Sequence, residues 1–418
     1  MLDIKLIREH FNEVKAGLLK RMPAAELDLE KIIALDDERR GLLSELENLQ
    51  AERNKFSKTK PDSETIARLK TVGDQINKLA AKLAAVETAF NERLSALPNI
   101  PAPDVIAGGK ENNEVIYTFG KQPKFNFAPK NHVELATSLG VIDYERAVKI
   151  AGNGFWCYTG VGALLEWALL SYFIDFHTKN GYRFLIPPFL LTEKSAFTSG
   201  HLPKFRDDLF WTQDDLCLNA TSEMMLGNYH REEILPADDL PLKYFAYSPC
   251  FRREAGSYRQ EERGMIRGHQ FNKVEMFIFS QPEKSEEMFG ELVGHAKKLM
   301  ENLGLYFQIS RLAAGDSSAA MMKTYDLEVF IPSMGIFKEV SSISNAGDYQ
   351  ARRGQTRYKN AATGKNEFVH TLNASGLATS RLLPAILEQN QQADGSVIIP
   401  KVLRAYLPRG LKIIKPTK

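Results

Sequence analysis

The 418 residues predict an α+β protein, an antiparallel β-sheet flanked by helices and preceded by an antiparallel coiled-coil helical hairpin. Three observations carry that reading. A heptad seam runs through two consecutive stretches near the N-terminus, a proline-rich segment ends it, and helical stretches then alternate with short β-branched or aromatic runs.

From about Leu27 to Phe56 apolar residues recur at alternating spacings of three and four, with Ile32, Leu35, Leu42, Leu46, Leu49 and Phe56 on one seam. After Pro61-Asp62-Ser63 the seam resumes with Ile66, Leu69, Val72, Ile76, Leu79, Leu83, Val86 and Phe90. The short polar break between them favours folding back into a hairpin over residues 27 to 97. Arg39 and Arg53 stand where leucine is expected, so loose packing or outward snorkelling is expected there.

Pro98 to Pro103 stops any helix, since each proline lacks a donor and restrains its predecessor. A boundary is therefore expected at 103/104, giving an N-terminal domain 1–103 and a second domain 104–418. In the latter, Asn131 to Leu139, Gly162 to Thr178, Lys284 to Leu303 and Arg381 to Asn390 read as helices. Arg183 to Ile186, Lys243 to Ser248, Lys273 to Phe279 and Leu327 to Ile331 read as strands. No P-loop or G-x-G-x-x-G fingerprint is present, so a doubly wound nucleotide fold is not indicated.

Net charge is only +2, so any RNA contact must come from local clustering such as Arg53, Lys55, Lys58 and Lys60 near the hairpin tip. Cys157, Cys217 and Cys250 are widely spaced and odd in number, which suits a reducing cytosol and no structural zinc. The N-terminal twenty residues mix acids and bases without an apolar core, so export is not expected. The most apolar stretch, Val161 to Phe176, contains Glu166 and Asp175 and reads as a buried helix rather than a membrane span.

The densest functional run is Cys250-Phe251-Arg252-Arg253-Glu254-Ala255-Gly256, continuing through Arg263 and Arg267 to His269-Gln270-Phe271-Asn272-Lys273-Val274-Glu275. Two strands joined by an arginine-rich loop present guanidinium forks where a polyphosphate sits. Three more segments follow an order that matters: Asn219-Ala220-Thr221-Ser222-Glu223, Glu339-Val340-Ser341-Ser342, and Asn373-Ala374-Ser375-Gly376-Leu377-Ala378-Thr379-Ser380-Arg381. Together with Gly181 to Pro188, they resemble, over essentially the whole chain, the seryl-tRNA synthetases of class II. The run at Arg252 is similar to motif 2, the Gly376 to Arg381 segment to motif 3, and the Gly181 stretch to motif 1.

That resemblance implies the class II fold and a specific division of labour. ATP would meet Arg252, Arg253, Glu254, Phe271, Val274, Glu339, Val340, Ser341, Ser342 and Arg381, with Arg252, Arg381 and Glu339 carrying the catalysis. L-Serine would meet Thr221, Ser222, Glu223, Arg252, Glu275, Asn373 and Ser375. Glu339 and Ser342 would hold Mg²⁺, whose preference for oxygen ligands and retained waters suits so few protein donors. The partners implied are tRNA(Ser) on the hairpin, tRNA(Sec) where that tRNA exists, and a second copy of the chain in a cytoplasmic homodimer, with no membrane. Departures from the family pattern stand at Asn219-Ala220 for Ile-Pro, Ala374 for Gly, and Thr379-Ser380 for Val-Gly. Two alternatives stay open: a relative that passes serine to a carrier protein, against which the long hairpin argues, and a non-enzymatic paralogue, against which the intact Arg252, Glu254, Glu275, Glu339 and Arg381 argue.

Overall fold

The computed structural model describes residues 1–56, 62–254 and 264–417, without the Phe56 side chain. They form two compact units, Met1–Ile100 and Pro101–Lys418.

In the first unit, helices α1 (Ile4–Glu9) and α2 (Phe11–Leu19) precede two long ones, α3 (Leu29–Phe56) and α4 (Ser63–Ala96). Asp62 caps α4 by accepting from the Thr65 amide at 2.8 Å. Ion pairs join Glu52 and Glu38 of α3 to Arg68 and Lys82 of α4, and Asp28, just before α3, to Arg93, partners running in opposite order, so the hairpin is antiparallel. Ile32, Leu35, Leu42 and Leu46 are buried, as are Val72, Ile76, Leu83, Val86 and Phe90. Each such side chain contributes roughly 1.5–3 kcal/mol of burial. The seam weakens toward the tip, where Leu49 and Leu69 are half-buried and Ile66 is exposed. Arg39 is accommodated by laying its guanidinium 5.3 Å from the Phe90 ring centre and pairing at 2.8 Å with the buried Asp36, which Arg8 also holds at 3.0 Å.

The second unit is organised by an eight-stranded sheet. Its strands are β1 (Glu114–Phe119), β2 (Arg183–Leu185), β3 (Leu242–Phe251), β4 (Gln270–Ser280), β5 (Phe307–Arg311), β6 (Lys323–Ile331), β7 (Ile336–Gly347) and β8 (His370–Ala378). Their order is β1-β5-β6-β7-β8-β4-β3-β2. Every neighbour pair is antiparallel except β2, which runs parallel to β3 at the edge. Helices α5 (Val161–Lys179), α6 (Ser285–Leu303) and α7 (Thr379–Gln389) pack on one face of the sheet. Leu165, Leu169 and Phe173 from α5, Leu292 and Leu299 from α6, and Leu383 and Ile386 from α7 meet Val274, Met276, Ile278, Leu327, Ile343, Leu372 and Ala374 in one apolar core. Because strand side chains alternate, the residues between these project to the opposite face, where the site lies. No helix of the described residues is long and apolar enough to cross a membrane.

Candidate active site

Register decides which side chains share the open face. Ser375 pairs with Glu275 and Asn373 with Phe277 across β8 and β4, while Glu275 pairs with Ala246 and Lys273 with Ser248 across β4 and β3. On the other side Ser344 pairs with Asn373, and Asp326 with Ser342. In a regular strand Glu339 and Ser342, three apart, would face opposite ways. The register of β7 against β6 skips at Val340: Ser341 pairs with Leu327 but Glu339 with Glu328. This bulge turns Glu339 to the face of Ser342 and sends Val340 into the core.

A second irregularity lies in β8, where pairing jumps from Ser375–Glu275 to Ala378–Lys273. Leu377 takes a left-handed φ of 97° there. Such strain persists only where surroundings fix it. A Cβ added at Gly376 would stand 2.3 Å from His177 Nε2, so the buried imidazole demands glycine at that position. The bulge ends in α7, whose first turn carries Arg381.

The result is a cleft of about 330 Å³ lined by Thr221, Glu223, Arg252, Glu254, Lys273, Glu275, Glu339, Ser342, Ser344, Asn373 and Ser375 among others. A smaller adjoining cavity adds Arg267, Phe271, Val340, Ser380 and Arg381 and shares Arg252, Glu254, Lys273, Glu339 and Ser375 with the first. At the inner end Glu275 accepts from Asn373 Nδ2 at 3.0 Å and from the Ser375 hydroxyl at 3.2 Å. Lys273 Nζ lies 2.6 Å from Glu275 Oε2 and donates to Thr221 Oγ1 at 2.7 Å. Glu223 accepts from Gln350 Nε2 at 2.7 Å. Burial, reinforced by Glu275 nearby and opposed by Lys273, Gln350 and Arg252, pushes the Glu223 carboxyl up to about 7.

At the outer end Arg252 Nε donates to Ala220 O at 3.3 Å, and its guanidinium lies 5.2 Å from the Phe271 ring centre. Arg381 Nη1 donates to Glu339 O at 2.7 Å and stands 3.6 Å from Glu339 Oε2. Glu254, at φ 50°, accepts from Arg267 at 2.6 Å. Asp326 bears on the Glu339 carboxylate: its Oδ1 is buried with no hydrogen-bond partner, and burial together with Glu339 raises its carboxyl well above the usual range. Two crowded carboxylates and the Ser342 hydroxyl are a hard oxygen set that a divalent cation would relieve, so these residues fit Mg²⁺.

Not every sequence-level assignment reaches the cleft by its side chain. Val274 is fully buried in the core on the helical face. Ser341 Oγ donates instead to Ser375 O at 2.6 Å, and Ser222 Oγ lies 2.7 Å from Ser248 Oγ behind the Thr221 loop. Arg253 is exposed, with its amide on Asp208 O at 2.9 Å. The two expected features of the hairpin tip that can be located, Arg53 and Lys55, are exposed in the last turn of α3. Lys58, Lys60, Ala255, Gly256 and Arg263 lie outside the described residues.

Sequence reasoning overlooked Lys273, although its i, i+2 spacing from Glu275 on one strand signals a shared face. It also overlooked His201, which lines the cleft from the 199–209 loop and which burial, with Arg252, Lys273 and Arg353 nearby, brings down to about 3. No local pattern marks that histidine. The departures from the family pattern find partners: Asn219 Nδ2 donates to Ser248 Oγ at 3.0 Å and Pro249 O at 2.9 Å, and Ala374 points into the core.

The chain is similar to known proteins over both of its units. The model of the class II tRNA synthetase core domain (G, H, P, S and T) matches residues 205–390, and that of the seryl-tRNA synthetase N-terminal domain matches residues 1–101. The serine–tRNA ligase 2 of Clostridium acetobutylicum is 50% identical, covering 97% of this chain and 99% of its own. The serine–tRNA ligase of Sorangium cellulosum is 43% identical over 97% and 98%. Among solved structures, the seryl-tRNA synthetase of Pyrococcus horikoshii complexed with ATP superposes with a TM-score of 0.91 at 35% identity, covering 100% of both chains.

Proposed function

Since the chain belongs to the seryl-tRNA synthetase family, we infer that it activates L-serine with ATP to seryl-adenylate and transfers the seryl group to the 3′ end of tRNA(Ser), releasing pyrophosphate and then AMP. The supporting observation is the convergence of Arg252, Arg381, Glu339, Glu223 and Glu275 on one connected cleft although they are scattered over more than a hundred residues.

In the first step a serine carboxylate oxygen attacks the α-phosphorus and the bond to pyrophosphate breaks. The difficulty is bringing two anions together, so positioned cations must lower the barrier. Arg252, at the outer end and lining both cavities, bridges the serine carboxylate and the α-phosphate. Arg381 holds the γ-phosphate, Phe271 supports the adenine face, and Glu254 accepts from the adenine amine. Arg253, Val340 and Ser341 frame this end, the last by fixing the Ser375 carbonyl. Glu339 and Ser342 would hold Mg²⁺, which when bound supplies positive charge to the phosphate oxygens.

Thr221 and Glu223 receive the serine ammonium, with Ser222 bracing their loop. The serine hydroxyl meets Glu275, Ser375 and Asn373, a buried polar group that alanine would leave short of a partner, which is the stronger basis for selection. In the second step the terminal ribose hydroxyl attacks the adenylate carbonyl, AMP departs, and a phosphate oxygen of the adenylate takes the proton.

The hairpin, with Arg53, Lys55, Lys58 and Lys60 near its tip, engages the tRNA backbone by charge and shape. A tRNA(Sec), where present, would be served by the same recognition. Leu164, Trp167, Phe184 and Ile186 expose apolar surface on α5 and beside β2. That patch supports homodimerisation through this face. Three free thiols fit a cytoplasmic setting.

The deciding experiment is pyrophosphate exchange into ATP with each of the twenty amino acids, followed by transfer of labelled serine to total tRNA. Exchange dependent on serine and a charged tRNA are expected; exchange with another amino acid, or none, would overturn the reading, and adenylate formed without tRNA charging would redirect it to a carrier protein.

A further inference from the structure

Glu166 lies in the middle of α5, on the helical face of the sheet, only 3% exposed and not itself among the residues that line the cleft. A carboxylate there is costly unless it is hydrogen-bonded. Its Oε1 accepts from Asn272 Nδ2 at 2.8 Å, and the Thr379 hydroxyl stands 2.5 Å from the same oxygen. The Thr379 hydroxyl also lies 3.1 Å from the Asn272 carbonyl, closing a small ring of polar contacts, and the Tyr158 phenol is a further neighbour. Burial pushes the Glu166 carboxyl up to about 7 while Thr379 and Asn272 draw it back.

The two partners are significant for what adjoins them. Asn272 separates Phe271 from Lys273 on β4, and Thr379 is the first residue of α7, two before Arg381. Between them β8 has left regular pairing, with Leu377 at a positive φ, so the ladder alone does not fix where α7 begins. The Thr379 hydroxyl, set between the buried Glu166 Oε1 and the Asn272 carbonyl, therefore ties the start of α7 to α5 and β4.

We propose that Glu166 is a positioning residue for the nucleotide, setting the distance between the Phe271 wall and the Arg381 wall through Asn272 and Thr379. The inference rests on the reading of the cleft as an ATP site. Glu223, Glu275 and Ser375 make none of the contacts of this link, so the two substrates should respond differently.

The test uses the full-length Thr379→Val, Glu166→Gln and Glu166→Leu proteins and the Thr379→Val/Glu166→Leu double variant. ATP affinity is read by calorimetry, and the KM values for ATP and serine by pyrophosphate exchange. Thr379→Val, of nearly the same shape, should weaken ATP about tenfold, the scale of one hydrogen bond to a charged group, with serine KM within about twofold. Glu166→Gln keeps the acceptor and should lie near the wild type, while Glu166→Leu should weaken ATP at least as much as Thr379→Val. Adding Thr379→Val to Glu166→Leu should cost little more. Unchanged ATP affinity in Thr379→Val, equal changes for both substrates, or full additivity overturns the proposal. A wild-type protein that binds no ATP sinks instead the reading on which it rests. Should Glu166→Leu fail to fold, Thr379→Val and Glu166→Gln decide alone.

Discussion

The inner and outer ends of the cleft are built on opposite principles. At the inner end Lys273 and Glu275 are 5% and 1% exposed and every charge has a protein partner at hydrogen-bonding distance. At the outer end Arg252 and Arg381 are only partly buried, and their side-chain hydrogen bonds include backbone carbonyls. A closed pocket whose charges are already paired, with only the buried Asn373 Oδ1 among its named side chains left without a partner, selects by what can pair inside it; a partly open cluster of cations awaits an anion that arrives with its own charge. On the proposed function this separates selectivity from catalytic power along one groove, and removing a group should harm different properties at each end.

The largest effect is expected at the outer end. Arg252→Ala should lower serine-dependent exchange by about a thousandfold, comparable to losing a preorganised transition-state donor, while urea unfolding shifts by no more than about 0.5 kcal/mol. A loss of stability matching the loss of rate would erase the contrast. Glu275→Gln tests the inner end, because it strips the counter-charge from buried Lys273. Destabilisation of about 3–5 kcal/mol is expected from denaturant midpoints, together with weakened preference for serine over alanine in exchange.

A smaller effect is expected from pH. With its pKa raised to about 7, Glu223 is protonated in the free protein below that pH, whereas the ammonium of serine pairs only with the carboxylate. The raised carboxyl contributes stability at low pH that fades as pH climbs from the unfolded value of 4.5 toward about 7, and bound serine offsets that loss. Serine affinity should therefore fall by up to about tenfold per unit below pH 7 and level off above it, with protons released on binding. Calorimetry in buffers of different ionisation enthalpy measures that release; pH-independent affinity between 5.5 and 7 would remove Glu223 from the ammonium site. The smallest effect belongs to the hairpin. Arg53→Ala with Lys55→Ala should leave exchange unchanged and lower the slope of log affinity for tRNA against log salt by about one to two, checked by filter binding at several salt concentrations.

The hairpin was legible because a heptad is a local pattern: Ile32 through Leu46 and Val72 through Phe90 announce their own seam. Half of the large sheet was not. β7 and β8 carry serines, asparagines and glycines where strands usually show branched or aromatic residues, so their segments read as motifs rather than as strands. Arg252, Glu275 and Arg381 were found because their neighbours form long ordered signatures, whereas Val274 was drawn in by the same signature although its parity sends it into the core.

By itself the sequence determined the antiparallel hairpin, the break after it, and the identity of the groups that assemble the site, since residue type and short-range spacing are written in the chain. The tertiary structure alone decided which of those groups face one another. One residue inserted at Val340 turns Glu339 toward Ser342, and a bulge at Gly376–Leu377 with Thr379 tied to Glu166 sets where Arg381 stands. Side-chain direction in a sheet reverses with every residue, so a single irregularity, invisible without its pairing partner, decides what the cleft contains.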